Sequence, residues 1–149
     1  MTFSPEWVIC ALGGNDVARV GPGVPKTQVS LAESIANLRE LRRVAGALTS
    51  ASWVWMTPGP VHPERVREFP GFRFGQTSWD NADIVALADA MAETFDDPVV
   101  DLVSAFGVPA HESLQGPDGV HPSLAGQCAI VMALLHTLAG PTAPEQRRS

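Results

Sequence analysis

The feature that most constrains this chain is a threefold alternation of short apolar runs with longer amphipathic stretches. Trp7 to Leu12 (WVICAL) ends in Gly13-Gly14-Asn15-Asp16, and Trp53 to Thr57 (WVWMT) ends in Pro58-Gly59-Pro60. Val99 to Val103 (VVDLV) follows the Asp97-Pro98 turn. Short runs like these, without strict alternation, suit strands buried on both faces of a parallel sheet. The stretches between them read as helices. One starts at Ser30, which has capping-box spacing to Glu33, carries Leu31, Ile35, Leu38, Leu41 and Val44 on one stripe, and is expected to stop at Gly46. The next runs from about Asn81 to Phe95 with Ile84, Val85, Leu87, Ala88, Met91 and Phe95 inward, capped by Ser78 or Asp80. The last runs from about Ser123 to Leu138, with Pro122 suited to its first turn and Gly140 beyond its end. The rhythm predicts one α/β domain over residues 1–140, a parallel sheet with helices on its faces, followed by a polar tail at 141–149. A three-stranded sheet is thin for such an architecture.

Composition excludes several classes of partner. The net charge is −6 with only ten Lys and Arg, so the basic footprint of a nucleic-acid binder is missing. No uncharged stretch reaches membrane-spanning length, because His136 and Gly140 interrupt even the last helix. The start, MTFSPEWVIC, lacks the basic and apolar regions of a signal peptide, which places the expected location in the cytoplasm. Cys10 and Cys128 fall in apolar segments and are expected to be buried thiols, not a disulfide. His62, His111 and His136 share no metal-ligand spacing with His121, and no phosphate-cradling glycine motif occurs. Neither a metal nor a cofactor is expected.

In an open parallel sheet, sites form beyond the carboxyl ends of the strands. Three features fall there. In Gly13-Gly14-Asn15-Asp16 the glycines permit a sharp turn and Asn15 offers an amide N–H to a negative oxygen; an ordinary turn has the same composition. Thr57-Pro58-Gly59-Pro60 stiffens a strand exit and shapes a cleft wall. Asp118 and His121 lie three apart at the mouth of the final helix. A carboxylate so placed can accept the imidazole N–H, fix its tautomer and leave the other nitrogen as a general base. A helix-cap region with a solvent-facing histidine is the competing reading.

These pieces, in this order, resemble the SGNH or GDSL-like lipase and acylhydrolase family. Gly13, Asn15 and Asp16 match its Gly-x-Asn-Asp block, and Asp118 and His121, continued by Pro122, match its final Asp-x-x-His block. Thr57-Pro58 and Val100-Asp101-Leu102 also look like that family, and the resemblance spans residues 7 to 139. It implies a three-layer, flavodoxin-like fold and hydrolysis of a small-molecule ester, with relatives acting on thioesters and amides. It implies His121 as base, Asp118 as its orienting partner, Asn15 as oxyanion donor and Asp16 as a brace for the turn.

The family's serine and glycine blocks have no counterpart here. Ser4 is the only serine before Asn15, with no strand ahead of it, while Ser50, Ser52, Ser78, Ser104, Ser113 and Ser123 fall in the wrong part of the fold. The resemblance therefore implies a serine esterase whose first two βα units and nucleophile lie outside this sequence. The alternative is an inactive or split subunit that binds a partner or ligand. In the family the strand before Asn15 is interior, so the strand at residues 7–12 is expected to be covered by a longer chain, a complementary subunit or a homodimer partner. The loops at 17–29, 61–79 and 104–117 would set substrate choice.

Overall fold

The computed structural model describes residues 4–140. In chain order its elements are β1 (Trp7–Ala11), β2 (Ala18–Val20), α1 (Leu31–Leu48), β3 (Ser52–Met56), α2 (Pro63–Glu68) and α3 (Pro70–Gly75). They continue with β4 (Thr77–Trp79), α4 (Asn81–Thr94), β5 (Val99–Val100), α5 (Leu102–Phe106) and α6 (Leu124–Ala139).

The main sheet has the order β1-β3-β5 and is parallel throughout, with Trp7 beside Ser52, Ala11 beside Met56 and Trp55 beside Val99. Its central strand, β3, is buried from Trp53 to Met56, as a strand packed on both faces must be. Successive side chains go to opposite faces. Cys10, Trp53 and Trp55 meet Ile35 and Leu38 of α1 and Leu87 and Met91 of α4. On the other face Val54, Met56 and Val100 meet Leu102 and Phe106 of α5 and Ala129, Ile130, Ala133 and Leu134 of α6. Trp55 is fully buried and stacks on Phe95 at 4.3 Å between ring centroids. The result is a three-layer α/β fold with a parallel sheet between helices.

Helix starts follow local chemistry. Ser30 accepts from the Glu33 N–H, Asp80 from Ala82 and Ser123 from Gly126, so Asp80, not Ser78, caps α4. Other expectations need correction. Pro122 precedes the cap of α6 instead of occupying its first turn, because the Ser123 hydroxyl holds the cap position. Gly46 does not end α1, which runs to Leu48; one glycine costs a helix only ~1 kcal/mol. The third strand stops at Val100, because the Asp101 carboxylate accepts from the Ser104 N–H and starts α5 where strand was expected. On α1 only Ser34, Ile35 and Leu38 are buried, while Leu31, Leu41 and Val44 remain exposed. Both cysteines are free, yet only Cys10 is buried; Cys128 lies on the outer side of α6. Burial pushes the Cys10 thiol up from its ordinary value.

The stretches read as loops hold structure of their own. β2 and β4 pair antiparallel, Ala18 opposite Trp79, and Arg19 ties them to α4 through Asp80 and Asp83. Strands of three residues are too short to show a period in sequence. At the other side, β1 pairs with β3 alone among the described residues, and Trp7 and Ile9 stand 54% and 49% exposed. No helix among the described residues is long and apolar enough to cross a membrane. The expected polar tail at 141–149 lies outside the described residues.

Candidate functional site

The turn after β1 is fixed from several directions. Gly13 has φ +100°, and a Cβ there would lie 2.8 Å from Leu87 Cδ2, so both the backbone angle and the packing require glycine. The Asp16 N–H donates to the Gly13 carbonyl at 3.0 Å, and Trp79 Nε1 donates to the Gly14 carbonyl at 2.9 Å. Asp16 Oδ2 accepts from the Ser34 hydroxyl at 2.8 Å. Ser34 is buried, so the turn is anchored to the inner face of α1. Gln28 Nε2 donates to the Asn15 carbonyl at 3.1 Å. The Asn15 side chain itself is exposed at the carboxyl end of the sheet.

The second element is the loop before α6. Asp118 Oδ1 accepts from the Val120 and His121 N–H groups, each at 2.9 Å, and Oδ2 lies 2.6 Å from His121 Nδ1. Burial pushes the Asp118 carboxyl up, but the hydrogen bonds from the imidazole and the two backbone N–H groups outweigh it and hold the carboxyl below its ordinary range. The Asp118 side chain is 16% exposed, whereas that of His121 is 77% exposed. Ser123 caps α6, so Asp118 is free of that duty and serves the loop and the imidazole.

The loop is also tied to α2. The His62 N–H donates to the Gly119 carbonyl at 2.8 Å, and Gly119 has φ +74° with the His62 carbonyl and the Arg65 stem where a Cβ would go. Arg65 Nη1 donates to the carbonyls of Glu112 and Gln115, both at 2.7 Å, and of Gly116 at 3.3 Å. Buried Gln115 donates through Nε2 to the Pro60 carbonyl at 2.6 Å. Arg65, Gln115 and Ser34 were not singled out by sequence reasoning. Ser34 left one signal, a hydroxyl at a buried position of an apolar stripe; Arg65 and Gln115 left none, because their partners are distant backbone carbonyls.

Asn15 and His121 line one cavity of about 620 Å³, together with Leu12, Asp16, Asn37 and Leu41. Beside it lies a smaller pocket of about 260 Å³, whose walls include Asn15, Thr57, Pro58, Trp79 and Ile84. Thr57 is buried with its Oγ1 accepting from the Leu102 N–H, so the proline-rich strand exit is a rigid wall. Asn15 and His121 thus face common space, and Asp118 reaches that space through the imidazole. Five serines are engaged elsewhere: Ser30 and Ser123 in helix caps, Ser34 with Asp16, Ser104 with Asp101 and Ser113 with His111. Among the described residues no serine hydroxyl hydrogen-bonds to His121, and no group of three or more His, Cys, Asp or Glu could hold a metal.

Known structures share this architecture. LAE5, an α/β hydrolase enzyme from the metagenome of Lake Arreo, is 22% identical with a TM-score of 0.65, covering 94% of this chain and 62% of its own. Axe2, an acetylxylan esterase from Geobacillus stearothermophilus, is 25% identical with a TM-score of 0.57, covering 92% of this chain and 61% of its own. A catalytic mutant of Axe2 matches as well, at 23% identity and a TM-score of 0.58, covering 90% of this chain and 59% of its own. The chain spans about three-fifths of the length of these structures. No curated protein matches the chain. The profile of the GDSL-like Lipase/Acylhydrolase family matches residues 1–129, and the chain therefore belongs to that family.

Proposed function

We propose that this chain carries the acid–base and oxyanion part of an SGNH-type serine esterase acting on a small-molecule ester, with the serine supplied outside this chain segment. The observation that supports it is the shared cavity of Asn15 and His121, with Asp118 Oδ2 at 2.6 Å from the imidazole. In this reading His121 donates its Nδ1–H to Asp118, which leaves the Nε2 lone pair to take the proton of an attacking serine hydroxyl. The oxygen of that serine bonds to the ester carbonyl carbon, and the Asn15 amide donates to the oxyanion that forms. The imidazolium then protonates the leaving alcohol. Water, activated by the same imidazole, releases the acid and restores the serine. No metal or cofactor has a part in it.

The outer edge of β1 belongs to the same proposal. A strand bearing the serine would pair there, from a longer chain, a complementary subunit or a second copy. A non-catalytic subunit that binds a partner is the second reading, and exposed Trp7 and Ile9 favour it, since they offer a contact surface whether or not chemistry follows.

Serine-directed labelling separates the two. The protein purified from its natural source is treated with a fluorophosphonate and assayed on p-nitrophenyl acetate, and the labelled residue is mapped by mass spectrometry. The esterase reading expects a label on a serine outside the 149-residue segment and a loss of ~10³-fold or more in turnover with His121→Ala. Absence of both label and hydrolysis overturns it in favour of the binding subunit. Hydrolysis that His121→Ala leaves intact overturns the assigned roles.

A further inference from the structure

The His121 imidazole is 77% exposed, so its orientation rests on the loop backbone and on Asp118 instead of on packing. Gln115 ties one arm of that loop to the Pro60 carbonyl and Ser123 Oγ donates to the Ser113 carbonyl, but one side chain gathers several of the arm's carbonyls at once. Arg65 Nη1 donates to the carbonyls of Glu112, Gln115 and Gly116, and the Gly116 N–H in turn donates to the His121 carbonyl at 2.7 Å. At the other arm the stem of Arg65 packs on Gly119, where a Cβ would fall 2.8 Å from Arg65 Cβ. Arg65 therefore grips the loop on both sides of Asp118, from a short helix 47 residues away in sequence from its nearest carbonyl partner.

We propose that Arg65 is a positioning residue for the Asp118–His121 pair, one that fixes the imidazole through the loop carbonyls and touches neither reacting atoms nor the Asp118 carboxylate. The proposal rests on the esterase reading for its purpose, but not for its geometry. A guanidinium suits the task because it holds the two N–H groups of Nη1 in fixed directions within its plane, the long 3.3 Å contact to Gly116 sharing one of them, whereas the three N–H groups of an ammonium rotate on a flexible stem. Three carbonyls converging on one nitrogen would otherwise need water or would drift apart. Loosening them frees Gly116, then the His121 carbonyl, and finally the imidazole.

The test uses the tautomer of His121, which a residue serving only general stability would not alter. Long-range proton–nitrogen NMR on the isotopically labelled chain, near pH ~8 where an ordinary imidazole is neutral, distinguishes the Nδ1–H from the Nε2–H form. The unmodified chain is expected to show mainly Nδ1–H, donated to Asp118. Arg65→Met should shift His121 to a mixture dominated by Nε2–H, with the backbone amide spectrum otherwise native. Arg65→Lys should give an intermediate mixture, and it carries the test alone if Arg65→Met does not fold. In the serine-containing enzyme, Arg65→Met should lower kcat by roughly 10- to 100-fold with KM nearly unchanged. A folded variant that keeps the unmodified tautomer overturns the role of Arg65 and leaves the esterase reading standing. An unmodified chain that lacks the Nδ1–H form overturns the Asp118–His121 pair itself, and the role of Arg65 falls with it.

Discussion

Trp55 and Trp7 lie on neighbouring parallel strands, yet one is fully buried and the other 54% exposed. The two mark the closed and open sides of the molecule. On the closed side β3 has a strand on each edge, a helix layer on each face and Phe95 stacked on Trp55. On the open side β1 has one neighbour, and Trp7 and Ile9, on the sheet face they share with Val54, stay exposed, as do Val131, Met132 and Leu135 of α6. Strand formation needs only one partner, whereas burial of both strand faces needs layers on both sides. The comparison teaches that the apolar pattern of β1 describes an interior strand, while its surroundings among the described residues are those of an edge.

The largest expected contrast comes from the tryptophans themselves. Trp55→Ala should cost about 3–5 kcal/mol in urea unfolding, the usual range for a buried aromatic. Trp7→Ala should stay within about 0.5 kcal/mol, as exposed substitutions do. A large cost at Trp7 would break the comparison by showing that the β1 edge is covered in solution, and sedimentation at several concentrations would then reveal whether a second copy covers it.

Backbone fit sharpens the contrast next. A Cβ on Gly126 would lie 2.1 Å from the Leu114 carbonyl, where rigid backbone must move, so Gly126→Ala should destabilise by about 1–3 kcal/mol in the same measurement. Gly46 lies on the exposed part of α1, and a Cβ there would come 3.0 Å from Nη1 of Arg42, whose guanidinium is held by two hydrogen bonds to Asp97. Gly46→Ala should therefore change stability by no more than about 0.5 kcal/mol, the helix gain of about 0.5–1 kcal/mol being offset by the shift it asks of Arg42.

The acid and the base should differ in the same manner. Asp118 is nearly buried and accepts three hydrogen bonds, so Asp118→Asn should cost about 1–2 kcal/mol near neutral pH. Its carboxyl is depressed in the folded chain, so this contribution is present above the ordinary carboxylate value of about 4 and is lost as pH falls through the folded value. Stability curves of the two proteins against pH should accordingly converge in acid; a gap that widened there would contradict the sign. His121→Ala should change stability least, within about 0.5 kcal/mol, because the imidazole is largely in solvent.

Much of this fold was legible before the structure, and particular residues show why. Ser30, Asp80 and Ser123 cap helices with bonds to residues two or three positions away, so each start is written in adjacent chain. The runs at Trp7 and Trp53 read as strands because β-branched and aromatic residues cluster there. The run at Val99 was shortened by Asp101, whose carboxylate prefers a cap to a strand. The mini-sheet of β2 and β4 was invisible, since its strands are short and its partners are separated by the whole of α1 and β3. Cys128 was misplaced because α6 is apolar on all sides, so its sequence does not mark which face packs.

By itself the sequence determined the α/β rhythm, the Ser30 helix cap and two short motifs that mark Asn15, Asp118 and His121 as candidates. Those depend on local periodicity and on hydrogen bonds within one or two turns of chain. Only the tertiary structure decided that Asn15 and His121 line a common cavity, that Ser34 anchors Asp16, and that Arg65 gathers three carbonyls of the loop before α6. The physical reason is that such contacts are set by the strand order β1-β3-β5 and by helix packing across the sheet, which join residues with no shared period.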